Sequence, residues 1–237
     1  NHKGINTMLT KTQIAVNSGQ SLFQYKVKSV LDGMGKTERA IKPSTNVKLG
    51  KKITKGHLKG AKMYTLTLEE RKTCPKTCFH WATCYGNNLH LATRYRYDDA
   101  LLLQIEDDLE FYNGKNKPFM VRLHVLGDFA DVAYVNFWQT MLDKFQHLNI
   151  YGYTAHQLNT ELGDMLHDMV CSRFMVRISG NFASKTMNAL SYDDTRAIEQ
   201  IETKQAFLCP VQEDKTDSCG TCGLCWIAQK NVVFKTH

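Results

Sequence analysis

From position 63 onward the chain runs through short apolar segments of strand length, most followed by a helical stretch, and this alternation limits the fold more than any other feature. The segments are "MYTLTL" (63–68), "PFMVRLHVL" (118–126), "NIYGYTA" (149–155) and "RFMVRIS" (173–179), with "AFLC" (206–209) as a fifth and "NVVFK" (231–235) as a last. Between them, 89–112 holds neither Pro nor Gly and reads as one long helix, while 132–147 sets Val135, Trp138, Leu142 and Phe145 on one face. Shorter helices are expected at 159–169 and 193–204. Strands and helices in alternation form right-handed βαβ units on a parallel sheet. The expected fold class is α/β with parallel βα repeats: a partial TIM-like barrel over 63–205, a basic N-terminal extension over 1–62 and a Cys-rich metal-binding segment over 206–237.

A chain of 237 residues, 43% of them hydrophobic, supports one substantial core. No apolar run approaches the roughly 18 residues of a membrane span, so no membrane partner and a cytoplasmic location are expected. The net charge of +7 is concentrated between Lys26 and Lys62, where eleven Lys and Arg residues face only Asp32 and Glu38. "NVKLGKKITKGHLKGAK" carries Lys48, Lys51, Lys52, Lys55, Lys59 and Lys62 among glycines, which suits a nucleic-acid partner at 48–62. It suits a solvated surface equally well, because the run has no aromatic residue on which a base could stack.

Eight cysteines could form a secreted disulfide framework, but such frameworks belong to much smaller domains. Here they cluster. Cys74, Cys78 and Cys84 lie in "TCPKTCFHWATCYG", and Cys209, Cys219, Cys222 and Cys225 follow the pattern Cys-x9-Cys-x2-Cys-x2-Cys. Close spacing favours metal or iron–sulfur ligation. The first group fits a three-thiolate [4Fe-4S] cluster, or zinc with His80 or another fourth ligand, since soft thiolates suit both. Pro75 stiffens its loop; Trp81 and Tyr85 either shield a cluster or belong to the core. The second group matches ferredoxin-type Cys-x2-Cys spacing with Cys209 as the remote ligand, and a four-cysteine zinc site matches it as well. Four thiolates leave no open position, which implies a structural or electron-transfer role. Cys171 stands alone and is expected to be a small buried hydrophobe.

In parallel α/β folds the chemistry gathers at the carboxyl ends of the strands. Those ends carry the three-cysteine loop, His124 with Gly127 and Asp128, Tyr153 with Thr154 and His156, and Arg177 with Ser179. Asp128 is a candidate general acid or base, or a cap for the helix that follows. Arg177 interrupts an apolar strand and needs an anionic or hydrogen-bonding partner if buried. The acidic runs "EDDLE" (106–110) and Asp193–Asp194 read as solvated helix faces. No phosphate loop and no His-Glu-x-x-His motif is present, which counts against an ATPase and a zincin protease.

The order of these strand-end motifs resembles the radical S-adenosylmethionine (SAM) enzymes. The resemblance implies a cysteine loop after the first strand that binds three irons of a [4Fe-4S] cluster, with the fourth iron open to SAM. "LGDF" stands where that superfamily has a Gly-Gly-Glu-like motif for the SAM amino group, which implies Gly127 and Asp128 as cofactor contacts. "YTAH" and "RISGN" echo later strand-end motifs and imply Thr154, Arg177 and Ser179 as further contacts. The loop departs from the superfamily's Cys-x3-Cys-x2-Cys in being Cys-x3-Cys-x5-Cys. The implied activity is hydrogen abstraction from an unidentified substrate, with Asp128, His124 and Arg177 as catalytic candidates and a reductant protein as partner. Together, "TCPKTC", "TCYG", "HVLGDF", "YGYTAH", "FMVRIS" and "FLCPVQEDKTDSCGTCGLCW" also resemble the phage gene-product-88 family over about 63–226, which implies a phage protein acting in host cytoplasm. The alternative expectation is a metal-stabilised nucleic-acid-binding phage protein without catalysis.

Overall fold

The computed structural model describes residues 9–33, 38–180, 187–227 and 229–235. Its strands in chain order are β1 (Val27–Lys28), β2 (Lys42–Pro43), β3 (Lys62–Thr65), β4 (Arg94–Tyr95), β5 (Phe119–Leu123), β6 (Leu148–Thr154), β7 (Phe174–Ser179), β8 (Asn188–Ser191), β9 (Ala206–Leu208) and β10 (Asn231–Phe234). The main sheet has the order β2-β3-β5-β6-β7-β8-β10-β9, and every pair in it is parallel except β2 with β3. Strands β1 and β4 form a separate parallel pair.

Side chains alternate across the sheet with period two. On one face Tyr64, Val121, Leu123, Ile150, Phe174 and Val176 pack under helices α2 (Asp99–Asn113), α3 (Val132–Lys144) and α4 (Glu161–Asp168). Trp138 of α3 is completely enclosed there, so its truncation to Ala costs about 3–5 kcal/mol. The other face presents Met63, Met120, Tyr151 and Met175, covered by Leu49, Ile53, Leu58, Ala61 and Trp226. Trp226 belongs to the crossover from β9 to β10, which carries two short helices, α6 (Cys219–Cys222) and α7 (Leu224–Ile227).

Three of the four expected βα units lie where the periodicity puts them, while a further strand, β8, comes between β7 and the last expected helix; the sheet is open, with β2 and β9 as its edges. A barrel fills its interior with strand side chains. Here the loop over 49–61 and the β9–β10 crossover cover the face that would turn inward. Strand β8, "NALS", and the two-residue strands carry too little periodic signal to read from sequence. The helix expected at 89–112 begins only at Asp99, where Asp98 caps it by accepting from the Leu101 amide at 2.9 Å. Upstream, the buried Arg94 guanidinium donates to the carbonyls of Gly86, Leu89 and Ala92, which holds 85–95 in irregular turns.

"EDDLE" is not wholly solvated: Asp108 is buried and accepts from the Ile41 amide (2.8 Å), Arg39 Nη1 (3.1 Å) and Gln104 Nε2 (2.8 Å). These bonds fasten the start of the basic segment to α2. Asp194 caps α5 (Thr195–Glu202) through the Arg196 amide. Cys171 is exposed rather than buried, set in a turn that pairs its backbone with Phe174. Among the described residues no helix is long and apolar enough to cross a membrane.

Two candidate metal centres

The first centre is the loop after β3. Its frame comes from "EERKT", charged residues that sequence reading passed over. Glu70 is fully buried and forms a bidentate pair with Arg94, Nε to Oε2 at 2.8 Å and Nη2 to Oε1 at 3.1 Å, and also accepts from Ser21 Oγ at 2.7 Å. Glu69 accepts from the Ser21 amide and Gln24 Nε2. Arg71, in the left-handed region at φ 62°, spans the loop by donating to the carbonyls of Trp81 and Gln20 and to Asn87 Oδ1. Trp81 in turn donates Nε1–H to the Val16 carbonyl, which ties the loop to α1 (Lys11–Ser18). Successive turns, Cys78 amide to Pro75 carbonyl and Trp81 amide to Cys78 carbonyl, wind the chain between the first two thiols and on past Cys78.

The Gly127–Asp128 turn closes against this loop. Gly127 has φ 85°, and a Cβ there would stand 2.6 Å from Leu68 Cβ and 2.7 Å from Thr73 Oγ1, so a glycine is required. The Asp128 amide donates to Thr73 Oγ1 at 3.1 Å. Its carboxylate accepts from the Phe129 amide (2.8 Å), Thr154 Oγ1 (2.8 Å) and the Ala155 amide (2.7 Å), joining the ends of β5 and β6. The helix that follows is capped by Asp131, not by Asp128. Burial raises the Asp128 carboxyl, against the opposing pull of His156 and of the three donors. Burial likewise raises Cys74, Cys78 and Cys84. The Asp128 charge adds to the rise at Cys74 and Cys78, and Cys84 adds to it at both. Three thiols and one carboxylate thus share one electrostatic neighbourhood at the carboxyl ends of the strands.

The remaining strand-end candidates divide. Thr154 is buried on Asp128, and its Oγ1 also accepts from the His156 amide. Ser179 ends β7, and its carbonyl accepts from Gln157 Nε2. His124 faces the helix layer: Nε2 meets the Tyr134 hydroxyl at 3.0 Å and its ring packs on Phe129. Arg177 points to the second centre, donating to the carbonyls of Cys225 (2.8 Å), Lys230 (2.7 Å) and Leu224 (3.3 Å). Its partner is therefore the crossover backbone, on the face opposite His124.

The second centre is that crossover. Ser218 caps α6, which carries Cys219 and Cys222, and Gly223 at φ 76° ends it so that α7 can bring Cys225 back. Cys209, at the end of β9, completes the group, and the four cysteines line one small cavity walled by Phe207, Val211, Leu224 and Trp226. Burial and the other three thiols push Cys219 up to about 12. Tyr153 donates its hydroxyl to Cys225 Sγ at 3.0 Å. The Arg122 guanidinium lies over the rings of Tyr153 (4.5 Å) and Tyr151 (5.5 Å) and lowers Cys219 in part.

Arg122 and Tyr151 escaped the sequence reading, although a signal was present. "FMVR" occurs twice, at 119–122 and 174–177, so the strand period puts both arginines on the same face, flanking β6. As placed, no three His, Cys, Asp or Glu side chains among the described residues are grouped closely enough to hold one ion. The donor chemistry still fits a soft metal at both centres: thiols close in sequence and all free, with the Gly86 amide donated to Cys84 Sγ at the first and the Tyr153 hydroxyl to Cys225 Sγ at the second.

No protein-family model matches the chain, and no solved structure matches it. It is similar to the Gene 88 protein of Mycobacterium phage D29, with 26% identity over 139 residues, 52% of this chain and 57% of that protein. The chain therefore spans little more than half the length of the curated relative it matches. The likeness to a phage gene-product-88 protein expected from the cysteine motifs is found; a radical SAM relative is not.

Proposed function

We propose that the chain is an iron–sulfur protein resembling radical SAM enzymes, with Cys74, Cys78 and Cys84 as ligands of a [4Fe-4S] cluster whose fourth iron is open to SAM. The observation that carries this reading is the bond from the Asp128 amide to Thr73, which sets the Gly127–Asp128 turn against the cysteine loop at the carboxyl ends of the parallel neighbours β3 and β5 in an open sheet. A cluster held by Cys74, Cys78 and Cys84 would supply one-electron reductive cleavage of bound SAM, a chemistry that needs an electron from a reductant protein. Asp128 binds the SAM ammonium: a carboxylate has about four acceptor positions and three are taken by protein donors, which leaves one. Thr154 fixes the Asp128 rotamer, and Gly127 lets the turn approach the loop. Burial of Thr73 and Asp128 keeps water from the carboxylate. Cys209, Cys219, Cys222 and Cys225 hold a closed second centre, zinc or cluster, with a structural or electron-transfer role.

Protein purified without oxygen is expected to hold iron and sulfide. SAM should perturb the electron paramagnetic resonance spectrum of the reduced cluster, and slow uncoupled turnover should release 5′-deoxyadenosine. His80 lies in the longer Cys78–Cys84 interval and could close the fourth iron, so His80→Ala is the second arm. A spectrum that ignores SAM in both wild type and His80→Ala would reject the SAM reading.

A further inference from the structure

Segment 48–62 separates its residues sharply. Leu49, Ile53, Leu58 and Ala61 are buried, whereas Lys48, Lys51, Lys52, Lys55, Lys59 and Lys62 are exposed. None of these lysines forms an ion pair among the described residues, and the sequence has no Asp or Glu between Glu38 and Glu69. The cationic surface continues beyond the segment. Lys115 and Arg39 lie over the ring of half-exposed Phe111, at 4.2 and 3.7 Å, and burial with the nearby charges of Lys62 and Arg39 lowers the Lys115 ammonium. Arg39 is paired with Asp108, but the six lysines of the segment have no counter-charge among the described residues, and cations crowded in that way repel one another and complement a polyanion. Apart from Val47 and the half-exposed Phe111 under the two cations, the large apolar side chains here are turned inward. The surface thus lacks both the anchors of a protein interface and the apolar stripe of a lipid-binding one. Ammonium groups and exposed backbone remain, and these suit phosphates.

The segment is held by the second centre. The Cys219 and Gly220 amides donate to the carbonyls of Lys48 (2.8 Å) and Leu49 (3.1 Å), and the Thr54 amide donates to the Gly220 carbonyl (3.1 Å). A Cβ at Gly220 would stand 2.4 Å from the Lys52 carbonyl oxygen. The lysine loop therefore lies backbone to backbone on α6, the helix that carries two of the four cysteines. We infer that 48–62 is a nucleic-acid backbone-binding surface whose shape is set by metal at Cys209, Cys219, Cys222 and Cys225, so that affinity follows metal loading. This holds whether or not the first centre acts on SAM.

The test measures fluorescence anisotropy of a labelled DNA duplex and a labelled single-stranded RNA with the full chain. Metal-loaded wild type should bind at low salt, with log K falling against log salt by about 0.7–0.9 per phosphate contacted. Lys51→Glu, Lys52→Glu, Lys55→Glu and Lys59→Glu combined should abolish binding. Chelator-stripped protein should bind at least about tenfold more weakly, as expected when one or two phosphate contacts are lost. Gly220→Ala, which displaces the loop while keeping every thiol, should do the same and decides the matter if stripped protein unfolds. Affinity unchanged in Gly220→Ala would overturn the coupling. Wild type that binds neither probe at low salt, or binds polyglutamate or phosphatidylserine vesicles as tightly, would overturn the assignment of partner.

Discussion

His124 gives the structure a quantitative test through pH. The side chain is buried, its Nε2 meets Tyr134 at 3.0 Å, and its Nδ1 has no hydrogen-bond partner among the described residues. Burial, with a smaller push from the Arg122 cation, lowers its pKa from 6.5 to about 3, so it is neutral when folded. The unfolded chain takes up a proton as pH falls through 6.5, while the folded chain does not until about 3. Stability from this group is thus fully present above 6.5 and is lost progressively between those values. Burial raises the Tyr134 phenol, so it stays neutral throughout that window. At about 1.4 kcal/mol per pH unit, His124 alone removes about 3 kcal/mol between pH 7 and 4.5. His124→Phe keeps a ring against Phe129 but leaves the Tyr134 hydroxyl unpaired, at a cost of about 1–3 kcal/mol at neutral pH. Urea unfolding of identically prepared metal-free proteins at both pH values compares them, so proton uptake at the thiols cancels. The variant should start less stable and lose about 3 kcal/mol less on acidification. Parallel pH dependences would refute a neutral, enclosed His124.

Other expectations follow from the two centres. Anaerobically purified protein should absorb near 400 nm (about that value, as sulfur-to-iron charge transfer at a thiolate cluster); stoichiometric zinc with negligible sulfide would end the cluster reading. Cys222→Ser should reduce soluble yield more than Cys78→Ser, because metal-binding energy at a closed site is largely folding energy; the reverse order in a solubility assay would exchange the roles of the centres. Glu70→Gln leaves Arg94 charged and buried, and should cost about 3–5 kcal/mol by chemical denaturation. Tyr153→Phe should leave folding intact and shift the spectrum of cobalt substituted at the second centre, since only the O–H donated to Cys225 Sγ is lost.

The sheet was legible because its strands are apolar on both faces, as parallel strands covered on both sides must be. What stayed hidden was held by tertiary polar bonds rather than by periodicity. Segment 89–95 has helical composition, but the buried Arg94 draws the carbonyls of Gly86, Leu89 and Ala92 onto one guanidinium. Propensity cannot anticipate that. The same holds for Asp108, whose helical neighbours suggest solvent while Ile41 and Arg39 come from nearly seventy residues away. At the candidate sites, strand-end reasoning found the Cys74–Asp128–Thr154 neighbourhood, since a βα topology alone brings those ends together. It left the partner of Arg177 open, because an arginine in an apolar strand announces a need for acceptors without saying which. The repeated "FMVR" was the legible clue that its acceptors lie on the same face as Arg122.

The two cysteine groups are supported by opposite means, and this bears on what each can do. Around Cys74, Cys78 and Cys84 the loop is fixed by groups that need no metal: a buried Glu70–Arg94 pair, Arg71 on three acceptors, and the Asp128 bonds to β6. Removing one partner of such a pair leaves a buried charge, so the frame resists opening whether or not a metal is present. A ligand at this centre can therefore bind, change state or leave while the loop keeps its shape, as a site of chemistry requires. Around Cys209, Cys219, Cys222 and Cys225 the backbone has two helices of four residues each and a cavity at its centre. Helices of one turn have no independent stability in water. Arg177 and the lysine loop hold this segment's carbonyls and amides, and Trp226 anchors it on the sheet face beside Tyr151. The four thiols line its interior, and a metal held by them, as proposed, would close a long crossover between β9 and β10. On that proposal, loss of the metal would loosen both the edge of the sheet and the basic surface lying on α6, so that the second centre would influence a partner although its four thiols leave no open coordination position.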